Sequence, residues 1–145
     1  SNEKQKKRMV EKLERLVGRD LRGKKIGILG LAFKAETDDM RESPSIVVIS
    51  ELLKRGAKVA AHDPQAMENA KTIFGDSIEY ADSEYKAINN CDAIMILTEW
   101  NQYRGLDLEM VKKLMKGNVI LDTRNLLEPE KARAIGFIIE GVGRK

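Results

Sequence analysis

One stretch, Lys25 to Pro44, limits what this chain can fold into more than any other. Ile26-Gly27-Ile28-Leu29 is a short apolar β-run that breaks at Gly30. The loop that follows is dense in charge, with Lys34, Glu36, Asp38, Asp39, Arg41 and Glu42. Ser43-Pro44 then reads as an N-cap followed by proline at the first helical position, where the missing N–H is no loss. A strand, a glycine turn, a long polar loop and a helix start make the first half of a βαβ unit. In an open α/β sheet such a loop lies at the carboxyl edge, where ligands bind.

The flanking sequence repeats the alternation. Residues 3–17 read as a helix, with Met9, Val10, Leu13, Leu16 and Val17 on one face and Lys and Arg around the rest. This helix is either a solvated amphipathic one or the end of a longer helix that packs on a part of the protein outside this chain. Gly18 ends it. Helix 45–55 places Ile46, Ile49, Leu52 and Leu53 together and stops at Gly56. Strand 57–63 closes on Asp63-Pro64. A helix over 65–74, an extended piece near 78–80 and a helix over 82–90 lead to Asp92–Thr98, an apolar run of the kind buried on both faces of a parallel sheet. Helix 107–115, strand 118–122, a short helix from Pro129 to Gly136 and strand 137–140 complete the pattern. Strands alternating with helical patterns of ten to twelve residues predict a Rossmann-like, doubly wound parallel sheet. It is an α/β/α three-layer fold with right-handed crossovers and an N-terminal amphipathic helix. The boundaries read as 1–22 for that helix and its link, and 23–145 for the body.

Charge is unevenly placed. Residues 1–25 carry ten Lys/Arg against four Asp/Glu, whereas the remainder carries sixteen against nineteen. A duplex-binding domain is expected to show a basic face on its folded body, so nucleic acid is not an expected partner. No apolar run approaches the roughly 20 residues of a membrane span, and no signal-peptide pattern opens the chain. With a single cysteine, Cys91, the expected setting is a reducing cytoplasm and not a membrane.

Several residues are candidates for chemistry. Gly27-x-x-Gly30-x-x-Phe33 is only part of a dinucleotide fingerprint, because the glycines for pyrophosphate approach and helix packing are both missing. Asp63 sits where a ribose-binding acid would, and also where an ordinary Asp-Pro turn would. Lys34 and Arg41 flank Glu36, Asp38 and Asp39, either as a self-neutralising surface loop or as a point charge and a planar fork for a phosphate. Phe33 could lie against a sugar or a base. Arg124, in Asp122-Thr123-Arg124-Asn125, closes a strand on the same sheet edge and could meet an anion or a neighbouring acid. Cys91 precedes a buried strand away from His62, the single histidine, and reads as a core residue; Trp100 reads as packing. The clusters that metal ligation needs are absent from the sequence.

Taken in order, Gly27-Ile28-Leu29-Gly30-Leu31-Ala32-Phe33-Lys34, Thr37-Asp38-Asp39-x-Arg41-Glu42-Ser43-Pro44, His62-Asp63-Pro64, Thr98-Glu99-Trp100, Asp122-x-Arg124-Asn125 and Gly141-x-Gly143-Arg144 resemble the C-terminal, UDP-binding domain of the UDP-glucose/GDP-mannose dehydrogenase family. The likeness is greatest to its UDP-glucose 6-dehydrogenases. It runs from Gly23 to Arg144, and the basic helix is similar to the end of the family's long central helix. The resemblance implies an NAD-dependent oxidation of UDP-glucose to UDP-glucuronate in two hydride transfers through a cysteine-bound intermediate. It implies substrate contacts from Phe33, Lys34 and Arg124, and a cofactor contact from Arg41 to NAD held mainly by an N-terminal domain. It also implies a homodimer through the central helix. No cysteine here matches the family's nucleophile, so no catalytic residue is expected in this chain, and the chain alone is expected to be inactive. The alternatives are the same role in a UDP-N-acetylmannosamine or GDP-mannose dehydrogenase, or a stand-alone nucleotide-binding domain without chemistry.

Overall fold

A computed structural model describes residues 3–142. Gly143 and Arg144, the end of the last motif above, lie outside the described residues. Six strands, β1 (Lys25–Leu29), β2 (Lys58–His62), β3 (Glu79–Tyr80), β4 (Ala93–Ile96), β5 (Val119–Asp122) and β6 (Ile138–Glu140), form one sheet in the order β3-β2-β1-β4-β5-β6. Every pairing is parallel. This is the doubly wound order, and the direction of winding reverses between β1 and β4.

Residue alternation along each strand divides the core into two layers. Ile26, Ile28, Val59, Ala61, Ala93, Met95, Val119 and Leu121 meet one layer of helices: α1 (Glu3–Leu16), α2 (Pro44–Lys54) and α3 (Met67–Phe74). Leu29, Ile94, Ile96, Ile120 and Ile139 meet the other: α4 (Glu84–Ile88), α5 (Asn101–Arg104), α6 (Leu108–Leu114) and α7 (Pro129–Ile135). The expected three-layer Rossmann-like fold with an N-terminal helix is what forms. Because β1, β4 and β5 are apolar on both faces, their sequences read as continuous runs.

Details depart from expectation on the second layer. Its helices are four to seven residues long: α4 and α6 are shorter than the helices read over 82–90 and 107–115, α5 has no counterpart in the sequence reading, and α7 is short as expected. Local chemistry stops α4 early. α4 is N-capped by Ser83 and ends before Asn90, whose left-handed backbone (φ 63°) turns its N–H to Leu114 O. α5 is too short to leave a periodic signal. On the first layer, Ser43 caps α2 by accepting Ser45 N–H at 3.1 Å, with Pro44 in the first turn.

The amphipathic face of α1 is used within this chain. Val10 and Leu13 are fully buried in the first-layer core. Arg55, at the end of α2, bonds Glu51 at 2.8 Å and Glu14 of α1 at 2.7 Å, which joins the two helices by a charge-assisted fork. The hydrogen bond from Arg55 holds the Glu51 carboxyl below its usual range. Among the described residues, no helix is long and apolar enough to cross a membrane.

Candidate functional site

Register brings the strand ends level. Leu29 pairs with both His62 and Ile96, and Ile96 pairs with Asp122. The residues that follow, Gly30, Asp63, Leu97 and Thr123, therefore leave the sheet side by side on one edge.

Asp63 organises that edge. It is fully buried, and its two oxygens accept five N–H groups. Oδ2 takes Leu31 N at 2.8 Å, Ala32 N at 3.0 Å and Trp100 Nε1 at 3.1 Å; Oδ1 takes Gln65 N and Ala66 N, each at 2.8 Å. A buried carboxylate satisfied this completely is a structural anchor with no lone pair left for a ribose. Trp100 is buried as read from the sequence, and its indole N–H completes the anchor.

The loop after β1 is held by its own chain. Ser43 Oγ and Ser45 Oγ each donate to Leu31 O at 2.7 Å, which fills the first turn of α2. Phe33 N donates to Asp39 O at 2.9 Å, and Asn69 Nδ2 donates to Asp38 O at 2.8 Å. Glu36 and Glu42 take left-handed backbone conformations (φ 65° and 64°), as does Asn125 in the loop after β5 (φ 58°). With Asp63 saturated and the α2 N-terminus filled, this edge does not fit NAD in the standard dinucleotide pose.

The side chains singled out from the sequence fall into two groups. Phe33 is half-buried, and the ammonium of exposed Lys34 sits 5.3 Å from its ring centroid. Arg124 donates through Nη2 to Glu99 Oε2, while Glu99 Oε1 accepts Ala35 N–H at 2.9 Å. One carboxylate therefore ties the Arg124 guanidinium to the residue after Lys34. The arginine has the acidic neighbour that was one of its two expected partners, and that acid is what joins it to the Phe33-Lys34 segment. Arg41 is not drawn into this bridge. Its strongly exposed guanidinium forks onto Asp39 at 2.7 Å, and this holds the Asp39 carboxyl at about 2.

Sequence reading gave Glu99 and Thr98 no role. Thr98 Oγ1 donates to Ala32 O at 2.7 Å, so Thr98, Glu99 and Trp100 all act on the β1 loop, Trp100 through Asp63. The available signal was an acid directly after an apolar strand on the ligand edge.

Beneath the site, His62 Nδ1 lies 2.9 Å from Tyr103 Oη, which also reaches His62 O at 3.1 Å. Burial lowers the imidazole pKa from its ordinary 6.5 and raises that of the phenol. A depressed histidine binds its proton more readily unfolded than folded. As pH falls through 6.5 the unfolded state gains a proton that the folded state resists, so stability falls. Urea midpoints should therefore drop between pH 7 and about 5.5, and His62→Gln should flatten that slope. The Asp39 contribution lies lower, lost as pH falls from 3.8 toward about 2. Cys91 is fully buried, its thiol donates to Ala87 O, and burial pushes it up to about 12, in keeping with a core role.

Comparison with known proteins bears on this edge. Residues 27–129 match the model of the UDP-glucose/GDP-mannose dehydrogenase family, UDP binding domain. A UDP-glucose 6-dehydrogenase of Rickettsia bellii is 42% identical over 146 residues, covering 100% of this chain and 34% of its own length. The chain spans about a third of the length of the curated relatives it matches. A solved UDP-glucose dehydrogenase from the hyperthermophilic archaeon Pyrobaculum islandicum aligns at a TM-score of 0.84 and 41% identity, covering 99% of this chain and 31% of that one. An NDP-N-acetyl-D-galactosaminuronic acid dehydrogenase from Methanosarcina mazei aligns at 0.82 and 31%, covering 99% and 29%. By the family match across most of its length, and by the doubly wound sheet that carries it, this chain belongs to the UDP-glucose/GDP-mannose dehydrogenase family.

Proposed function

We propose that this chain is the UDP-sugar-binding part of an NAD-dependent enzyme that oxidises UDP-glucose to UDP-glucuronate. The observation that carries the reading is the Glu99 bridge, which links Arg124 to the Phe33-Lys34 segment on the sheet's carboxyl edge. Lys34 contributes a point charge and Arg124 a planar fork to one pyrophosphate, and Phe33 offers an aromatic face to the sugar or base. Arg41, exposed and bonded among the described residues to its neighbour Asp39, extends toward a cofactor held by a separate N-terminal domain of the same protein. The chemistry NAD supplies when bound is acceptance of hydride from the sugar. This chain's residues bind and orient the diphosphate, and a nucleophilic thiol comes from the other domain, since Cys91 is buried. In the whole protein, residues 1–22 end a central helix that builds a homodimer, 23–145 cover the substrate, and the enzyme works in the cytoplasm.

A second reading keeps the site and changes the sugar. The likeness to the Methanosarcina mazei protein at 31% identity favours an N-acetylated hexose as that alternative.

Titration calorimetry of the 145-residue chain tests the site. UDP and UDP-glucose should bind weakly and GDP more weakly still. Lys34→Ala or Arg124→Ala should lower UDP affinity by about 30-fold or more, the scale of a lost charge-assisted phosphate contact. GDP binding equal to UDP binding, or no effect of either substitution, would overturn the assignment.

A further inference from the structure

We infer that Glu99 is a positioning residue for the diphosphate: its carboxylate sets where the Arg124 fork stands relative to Lys34. The inference deepens the proposed UDP-sugar site and rests on that reading.

The topology makes Glu99 the natural link. β4 lies between β1 and β5 in the sheet, so the loop leaving β4 is flanked by the loops that carry Lys34 and Arg124. Both are fixed at their base. Thr98 Oγ1 holds Ala32 O at 2.7 Å, and Trp100 reaches Leu31 and Ala32 through Asp63. On the other side Thr123 Oγ1 donates to Ile96 O at 2.6 Å, and Arg124 N donates to Asp122 Oδ1 at 3.2 Å. What remains to be placed is the end of the long Arg124 side chain, which is 42% exposed. A lone arginine there would lose rotamer freedom on meeting a phosphate. Bonding to Glu99, itself held by the Ala35 amide and only 25% exposed, removes much of that loss beforehand. The bond uses Nη2, and a guanidinium has further N–H groups that a phosphate can take.

The test compares UDP with uridine, which lacks the diphosphate, on the same chain. UDP is followed by calorimetry and uridine by NMR. Glu99→Gln should weaken UDP about fivefold, the upper range for a partly exposed charge pair, and leave uridine unchanged within about twofold. Because Glu99 acts through Arg124, Glu99→Gln should add nothing in an Arg124→Ala background. Emission of the single tryptophan, Trp100, checks that the edge stays folded. Arg124→Lys gives a second arm: it keeps the charge but loses the fork, and should weaken UDP about tenfold. Equal weakening of uridine and UDP, additivity with Arg124→Ala, full affinity in Arg124→Lys, or tighter UDP binding by Glu99→Gln would each overturn the inference. The last would mean that the carboxylate competes with the phosphate. If Lys34→Ala and Arg124→Ala leave UDP binding intact, the site itself is wrong. If they weaken it and the Glu99 results fail, only the positioning role falls.

Discussion

Asp63→Ala is expected to destabilise the chain by about 4 kcal/mol, since it leaves five N–H groups, four of them buried, without an acceptor and each unmet buried donor costs about 1–3 kcal/mol before relaxation. The effect is large against the roughly 5–15 kcal/mol available to a domain of this kind. In a thermal melt it corresponds to a fall of roughly 8–16 °C. Asp63→Asn should cost about half as much, because an amide oxygen can still serve Leu31, Ala32 and Trp100 while its NH2 opposes Gln65 and Ala66. The loss should be read both in the urea midpoint and in Trp100 emission, since the indole N–H is one of the five donors. If Asp63 instead faced a ligand, Asp63→Ala would change affinity with little change in the midpoint.

Gly30→Ala should be comparably damaging, for a different reason. A methyl group there would stand 2.4 Å from Thr98 Oγ1, 2.5 Å from Thr98 Cβ and 2.6 Å from Thr98 N. The backbone nitrogen cannot step aside cheaply, because the neighbouring Leu97 N–H is bonded to Leu29 O at 2.9 Å at the end of the β1–β4 pairing. The left-handed φ of +105° adds strain for any residue with a side chain. Together these predict a cost of about 3–5 kcal/mol. Gly18 supplies the control, having the same φ of +105° with nothing within 4 Å of the added atom. Gly18→Ala should therefore show the conformational cost alone, about 1 kcal/mol. Equal midpoints for the two variants would mean that the contact with Thr98 does not decide the outcome.

Much of the fold was legible because the central strands are buried on both sides. Ile26–Leu29 and Ala93–Ile96 announce themselves as apolar runs, and Ser43-Pro44 and Gly56 punctuate α2 where the backbone starts and stops it. What was not legible has a common physical origin. A side chain that accepts backbone N–H groups leaves no period in the sequence, so Asp63 looked like a turn or a ribose acid and Glu99 like nothing in particular. α5 covers four residues, too few for a helical repeat to register. Arg41 and Arg124 each stand near acids in the chain, and local sequence could not separate them. The fold does: Arg41 closes on Asp39 two residues away, whereas Arg124 reaches Glu99 across 25 residues and through it touches the segment that carries Lys34.

The central claim is that Lys34 and Arg124 hold one pyrophosphate between them. A crystal structure of this chain with UDP reads that directly. The account predicts both phosphates at the carboxyl edge, with the Arg124 guanidinium and the Lys34 ammonium each within hydrogen-bonding distance of phosphate oxygens and Glu99 still on Ala35 N. UDP seated elsewhere would contradict it, as in the groove of about 380 Å³ where Arg8, Lys12 and Arg15 of α1 lie beside Val142. A nucleotide at the edge that touches neither cation would contradict it equally.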